Sequence, residues 1–327
     1  MTAGRGAGNL AALAGFAALV AAAPWLLPND YYLSTLILAF LNAMIVIGLN
    51  LLLGYAGQIS LGHGAFYGLA AYTTAVLTAA HGWPVGAGCA AGVALTAAVA
   101  YLISIPTLKL AGNSLAMATL GFGLIVHIVF NEAIAITGGP SGFVGIPRLA
   151  LFGRVFESDL EYYFLVGGVL VLLAWAALNL IDSRVGRAMR AIHTSERAAE
   201  AVGIDITGAK RFIFVLSAAY AGLAGVLYAH YLCFVAPSSF GFHFSVTLIV
   251  MVVLGGMASV WGAVAGAVFL TVLPEFLRAF EDVETLLYGA ILVLCVVFVP
   301  QGIAGGASRL GRALLARLGA ARRPHAP

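Results

Sequence analysis

The chain of 327 residues is 62% apolar and only 9% charged, with a mean hydropathy of +1.03. No water-exposed globule of this size can bury that much apolar side chain, so a soluble enzyme is excluded and most residues must face lipid or one another. The formal net charge is only +3, and the basic residues stand at the ends of apolar segments rather than along one stripe, which leaves nucleic-acid binding without support.

A helix needs roughly 20 apolar residues at 1.5 Å each to cross about 30 Å of hydrocarbon. Stretches of that kind run in order over 10–27, 33–53, 64–80, 85–105, 114–136, 162–181 and 212–233, separated by Pro, Gly or charge clusters. The first follows Arg5 and ends in Ala21-Ala22-Ala23, as a secretory leader would, but Pro24 opposes cleavage there and the segment is read as a first helix. The stretch 243–273 is too long for one crossing and holds Gly255, Gly256, Gly262 and Gly266, so it is read as two short or broken helices. A last span covers 285–300 and stops at Pro300. The fold class is therefore all-α, a polytopic membrane protein of about ten transmembrane helices, or nine if 243–273 crosses once. It divides into a transmembrane domain over 1–304, with its one sizeable loop at 182–211, and a basic tail over 305–327 that suits anionic headgroups.

Charge orients these spans, because loops rich in Lys and Arg stay cytoplasmic. With the N-terminus inside and ten spans, all 16 basic residues except Arg148, Arg154 and Arg278 fall inside. The outer loops then carry Asp30, Glu157, Asp159, Glu161, Glu275, Glu281, Asp282 and Glu284. Both termini are expected in the cytoplasm, and the acidic 275–284 loop and the Arg-rich tail fall on opposite sides only if 243–273 is split.

Polar side chains inside apolar helices either bond a neighbouring helix or line a polar path. Asn42 and Asn50 on the second span, and His127 and Asn131 on the fifth, are of this kind, the last two sharing one face. The stretch 54–64 breaks helix regularity with glycines, Gly57 among them, and puts Gln58, Ser60 and His63 at the inner membrane face, either as a plain turn or as an inner gate. Gly138 and Gly139 in the 137–147 loop pose the same choice on the outside, and Gly255-Gly256 could open a broken helix beside a pathway. Arg148, Arg154 and Arg278 are candidates for docking a soluble protein outside, or simply partners of local acids and carbonyls. Cys89, Cys233 and Cys295 have no disulfide or metal-ligand spacing and read as packing residues; no cofactor or metal is expected.

Within the 182–211 loop, Thr194 or Ser195 can cap a short helix, Glu196 sits in its first turn, and Ala198, Ala199, Glu200 and Ala201 continue it to a stop at Gly203. Flanked by basic linkers, it could seat in a groove on a soluble partner through Ala198, Ala199 and Val202, or be a connector held to phospholipid by arginine. The chain has no G-x-x-x-x-G-K-[ST] loop to cradle nucleotide phosphates.

Three segments, NLLLGYAGQISLGHGAFYGLAAYT (50–73), TGGPSGFVGIP (137–147) and GRAMRAIHTSERAAEAVGIDITGAKRFIFVLSAAYAGLAGVLYAHY (186–231), resemble the signature stretches of branched-chain amino-acid ABC importer permeases of the LivM type. The resemblance extends from about residue 30 to 304. It implies a ribose- and vitamin-B12-importer-like permease in a bacterial inner membrane, paired with a second homologous permease, two cytoplasmic ATPases and an extracytoplasmic binding protein. It also implies that residues 195–203 form the coupling helix, the family's EAA-and-glycine pattern falling on Glu200, Ala201 and Gly203. Such a chain has no enzymatic chemistry of its own; its cargo would be branched-chain or related small amino acids, with urea or short amides as the alternative. A self-sufficient channel or carrier is the competing class.

Overall fold

In a computed structural model, residues 3–26, 29–108, 110, 112–151 and 153–278 are described, with Gly289, Ala290, Val293, Gly302 and Gly305 beyond them. The long helices are α1 (Ala3–Leu26), α2 (Asp30–Asn50), α3 (His63–Ala75), α4 (Val85–Thr107), α5 (Asn113–Glu132), α7 (Asp159–Asp182), α10 (Ile206–Leu232), α11 (Phe242–Gly255) and α12 (Val260–Leu277). Short helices α6 (Ile134–Thr137), α8 (Arg184–Thr194) and α9 (Glu196–Ala201) lie in loops. Among the described residues eight helical segments are long and apolar enough to cross a membrane, and α3, continued by a π-helical turn over Val76–Ala80, packs among them against α4 and α10. The chain is thus a polytopic helical membrane protein. In hydrocarbon only helices and closed barrels satisfy every backbone N–H and C=O, which is why almost nothing else is built between the two ends.

Contacts sort the loops onto two ends. Gly57 lies against His193, and Asn50 bonds the 258–259 turn, so the 54–62 stretch, the 183–205 loop and the α11–α12 turn share one end. At the other, Tyr31 meets Glu275 and Arg278, Pro147 accepts from His230, and two small antiparallel ladders pair Phe143–Val144 with Phe234–Val235 and Ala150–Leu151 with Arg154–Val155. The first end carries Arg184, Arg187, Arg190, Arg197, Lys210 and Arg211; the second carries Glu157, Asp159, Glu161 and Glu275. We call them the basic and the acidic end.

The expected break in 243–273 is present. Helix α11 ends at Gly255, Gly256 (φ 115°) and Ala258 (φ 59°) turn the chain, and α12 packs back antiparallel, Gly266 against Met251 and Gly255. The span expected at 285–300 falls mostly outside the described residues, but Gly302 sits against Gly255 and Gly256 at the basic end while Arg278 lies at the acidic end. Two boundaries differ from expectation. The seventh span begins at Ile206 rather than 212, because the Asp205 carboxylate accepts from Gly208 N (3.0 Å) and caps an amphipathic extra turn. The fifth stops at Glu132, where Ala133 leaves helical geometry and α6 forms a separate turn.

Helix α2 is the core of the bundle. From Leu33 to Asn50 none of its residues is exposed, and α7, α10, α11 and α12 surround it, as befits a helix apolar on every side. Helices α3 and α10 run parallel, tied at two heights by His63 Nε2 to Ser217 Oγ (2.6 Å) and Thr74 Oγ1 to His230 Nε2 (2.8 Å). Because the Pro147 carbonyl can only accept, the His230 Nδ1–H donates to it (2.7 Å), and in the neutral ring Nε2 then accepts from Thr74. Tyrosine hydroxyls fasten α7 into the bundle: Tyr163 donates to Val20 O (2.9 Å), Tyr162 to Leu227 O (2.5 Å), and Tyr220 to Leu173 O (2.9 Å).

Candidate functional site

The 183–205 loop is a compact two-helix unit. The Ser183 hydroxyl accepts from Gly186 N (3.3 Å) and starts α8, and the Ser195 hydroxyl accepts from Ala198 N (3.3 Å) and starts α9. Ser195, not Thr194, is the cap; Thr194 bonds back to Arg190 O. Gly203, at φ 80°, ends α9: its N–H donates to Glu200 O (2.9 Å) and Ile204 N–H donates to Ala199 O (3.1 Å). The residues expected to be a basic linker form α8 instead. Val185, Met189 and Ile192 recur at helical spacing and face the bundle, while Arg184, Arg187 and Arg190 point away from it.

The unit is fixed to the bundle by Ala199, which is buried, and by Lys210, whose Nζ donates to Glu196 Oε1 (2.7 Å). The expected face of Ala198, Ala199 and Val202 is therefore not the free one. Burial turns Ala199 inward, and the exposed surface of α9 is Ala198, Glu200, Ala201 and Val202, followed by exposed Gly203. Among the described residues the Glu200 carboxylate has no ion pair.

Below α8 lies the glycine-rich break. The second span ends in a π-helical turn, Leu51–Tyr55, and residues 57–62 are irregular before α3 begins at His63. Gly57 holds φ 67°, and a Cβ there would approach His193 Cδ2 to 2.8 Å, so only glycine fits both the conformation and the contact. The break is satisfied from several helices: Thr119 Oγ1 accepts from Leu61 N (3.0 Å), Ser60 Oγ from Gly62 N (3.4 Å), and Ser245 Oγ from Gly64 N (3.1 Å). Gln58 is the exception. It is 4% exposed, and neither atom of its carboxamide has a hydrogen-bond partner among the described residues. Such a buried, unpaired amide is uncommon in a folded protein and marks a position that the rest of the fold does not satisfy in this arrangement.

Asn50 closes the assembly. Its Nδ2 donates to Ser259 O (2.7 Å), its Oδ1 accepts from Ala258 N (2.9 Å), and the Tyr55 hydroxyl donates to Ala258 O (2.6 Å). Three polar groups thus clamp a turn in which Ala258 adopts the left-handed conformation that L-residues avoid. Asn50, Gly57, Gln58, Ser60, His63, Gly255 and Gly256 are consequently near one another at the basic end. Tyr55, His193, Ser217, Ser245 and the turn backbone join them, none of which the sequence singles out. Only α8 leaves a signal that could have found it, the 185–189–192 spacing.

The other candidates lie apart from this cluster. Asn42 Nδ2 donates to Thr271 Oγ1 (2.9 Å), a helix-to-helix bond of the kind expected. Asn131 instead bonds its own helix, donating to His127 O (2.8 Å), and His127 Nδ1 is buried without a partner among the described residues. At the acidic end Gly138 (φ 76°) and Gly139 (φ 62°) shape a tight turn under α5. The three arginines of the acidic end are all engaged locally: Arg148 with Glu157 O, Arg154 with Glu161, Arg278 with Tyr31 and Glu275.

No group of three or more potential metal ligands occurs among the described residues. No solved structure matches the chain. Residues 31–296 match the family model described as branched-chain amino acid transport system / permease component. The chain is 35% identical over 280 residues to the high-affinity branched-chain amino acid transport system permease protein LivM of Salmonella typhimurium, covering 79% of this chain and 66% of that protein. It is 34% identical over 291 residues to LivM of Escherichia coli K12, covering 81% and 68%. Against LivH of Escherichia coli K12 it is 27% identical over 281 residues, covering 80% and 91%. It spans about two thirds of the length of the LivM relatives. The chain belongs to the family of permease components of branched-chain amino acid transport systems.

Proposed function

We propose that the chain is the membrane-spanning permease subunit of an ATP-driven importer, carrying branched-chain or related small amino acids handed over by an extracytoplasmic binding protein. It works beside a second, homologous permease subunit and two cytoplasmic ATPases, in a bacterial inner membrane with both termini cytoplasmic, and has a helical architecture of the ribose- and vitamin-B12-importer kind. Names of both the LivM and LivH types among its relatives support the pairing. The basic end is the cytoplasmic one on the positive-inside argument.

The observation that carries the reading is the α8–α9 unit. It is braced inward by Met189, Ile192, Ala199 and Lys210, while Ala198, Glu200, Ala201 and Val202 stay outward. The ATPases engage that outward face. On ATP binding they displace the unit, and His193 on Gly57 passes the motion to the 54–62 break and the Asn50 clamp. The Gln58 side chain, unpaired in this arrangement, loses no hydrogen bond when the break rearranges, which suits an inner gate in alternating access. At the acidic end Arg154, its side chain 69% exposed, offers charge for orienting the binding protein.

The deciding experiment substitutes Glu200→Arg and Gly203→Trp in the full assembly. Membrane insertion is expected to persist while ATPase copurification and binding-protein-dependent uptake are lost. Normal copurification and uptake in both variants would overturn the assignment.

A further inference from the structure

Among the described arginines of the basic end, Arg211 is set apart by a buried side-chain nitrogen with no hydrogen-bond partner. Lys210, one residue earlier, turns inward to Glu196, and Arg187 donates to Asp182 O (3.0 Å). Arg211 has no hydrogen bond or ion pair among the described residues, and its Nε is buried without a partner. What holds it is an aromatic ring: its guanidinium carbon lies 5.3 Å from the centroid of Tyr101 on α4. The two side chains stand over a groove of about 400 Å³ between α4 and α10, lined also by Gly208, Phe212, Val215, Leu216 and Ala219.

Position along the helices gives this groove its meaning. Arg211 lies five residues inside α10 and Tyr101 six residues inside α4, so at 1.5 Å per residue both sit about 8 Å in from the helix ends. That is the depth of the boundary between headgroups and hydrocarbon, where tyrosine and snorkelling arginine are at home. From Arg211 to Ala219 the apolar floor continues for about 12 Å, most of the depth of one leaflet of a core about 30 Å thick. A cation without a counter-charge at headgroup depth, above an apolar slot of leaflet length, matches a molecule with one phosphate and a hydrocarbon chain.

We propose that the α4–α10 groove is a site for an anionic phospholipid, its phosphate on the Arg211 guanidinium and an acyl chain along Phe212, Val215, Leu216 and Ala219. The planar fork of arginine, oriented by the Tyr101 ring, suits bidentate contact with phosphate oxygens. The site stands at the root of α10, next to the Lys210–Glu196 pair that holds α9, so an occupied groove braces the helix on which the loop unit rests. The proposal rests on the membrane-spanning reading and on no step of transport, so lipid binding and uptake fail separately.

The test uses the full chain purified in detergent, with any subunits that copurify, titrated with phosphatidylglycerol or phosphatidylcholine and read by native mass spectrometry. Phosphatidylglycerol should be retained in preference to phosphatidylcholine. Arg211→Gln should weaken that retention by about fivefold, the factor for one cation near a lipid surface. Arg211→Lys, which keeps the charge but loses the planar fork, should fall between the parent and Arg211→Gln, and Arg184→Gln, on the exposed face of α8, should leave retention unchanged. Ala219→Phe, which fills the slot and leaves the charge in place, should also reduce retention and guards against misfolding of the arginine variant. Three results would each overturn the idea: equal binding of the two lipids, undiminished phosphatidylglycerol in both Arg211→Gln and Ala219→Phe, or full competition by inorganic phosphate alone. Cross-linking of a Leu216→Cys variant to another subunit would likewise overturn it and make the groove a subunit contact.

Discussion

Asn50→Leu nearly keeps the bulk of the side chain and deletes both of its hydrogen bonds to the 258–259 turn. Each such bond contributes about 0.5–1.5 kcal/mol net, so the turn should lose about 1–3 kcal/mol of local stability. The Tyr55 hydroxyl still holds Ala258 O, and the exposed position of Ala258 gives its freed N–H access to water, which places the loss toward the lower part of that range. The left-handed conformation of Ala258, intrinsically unfavourable by about 1–2 kcal/mol, is then held by one bond instead of three. Hydrogen exchange of the purified chain in lipid nanodiscs reads this directly. Amides of the 256–262 segment should exchange about 5- to 30-fold faster than in the parent, since about 1.4 kcal/mol is a factor of ten. Amides in the middle of α3 should be unaffected. Adding Tyr55→Phe should accelerate the turn further and no other segment. Unchanged exchange at 256–262 in the double variant would refute the clamp, and equal acceleration throughout the bundle would show that Asn50 supports global packing instead.

Other consequences are open to measurement. Gly57→Ala should cost about 1 kcal/mol for its positive φ and strike the His193 ring as well; adding His193→Ala should restore part of the uptake, and no restoration would mean the contact transmits nothing. Glu196→Ala should destabilise more than Lys210→Met, by about 1–2 kcal/mol in denaturant titration, because the first leaves a nearly buried ammonium unpaired and the second replaces it with an apolar chain. Ala258→Gly should be tolerated while Ala258→Val, β-branched at φ 59°, should lower expression and thermal stability. Cysteines at Arg197 and Ser308 should react with impermeant reagents from the cytoplasmic side, and cysteines at Arg154 and Asp282 from the opposite side; Ser308 and Asp282 on one side would exclude ten spans.

The apolar helices were legible because lipid leaves the chain so few options: apolar length, glycine breaks and the separation of charge located α1 to α5, α7, α10 and the division of α11 from α12. Helix α8 was harder to see because Arg184, Arg187 and Arg190 recur every third residue and mask the apolar positions Val185, Met189 and Ile192 beside them. Ser195, Glu200 and Gly203 announced α9 through local capping chemistry, whereas the inward turn of Ala199 depends on where α10 stands, which no window of sequence contains. Asn50 and Gln58 look alike in sequence, two amides near one membrane face. Their opposite fates, one with both ends bonded and one with neither, follow from the placement of a turn some two hundred residues downstream.

Helix α10 is unbroken over 27 residues, with the α9 unit at its root and His230 holding the Pro147 carbonyl near its tip. It contains no proline, and its two ties to α3 prevent it from sliding past that helix without breaking both. Translation is thereby disfavoured and rotation of the pair as one body is left. Over a length of about 40 Å, a tilt of about 5° about the midpoint moves each end by roughly 2 Å in opposite directions. A push on the α9 loop at the basic end would therefore arrive at the acidic end reversed in sense and similar in size, with no relay of side-chain rearrangements in between: the α3–α10 pair has the form of a lever, with the buried α2 beside α10 as its fulcrum.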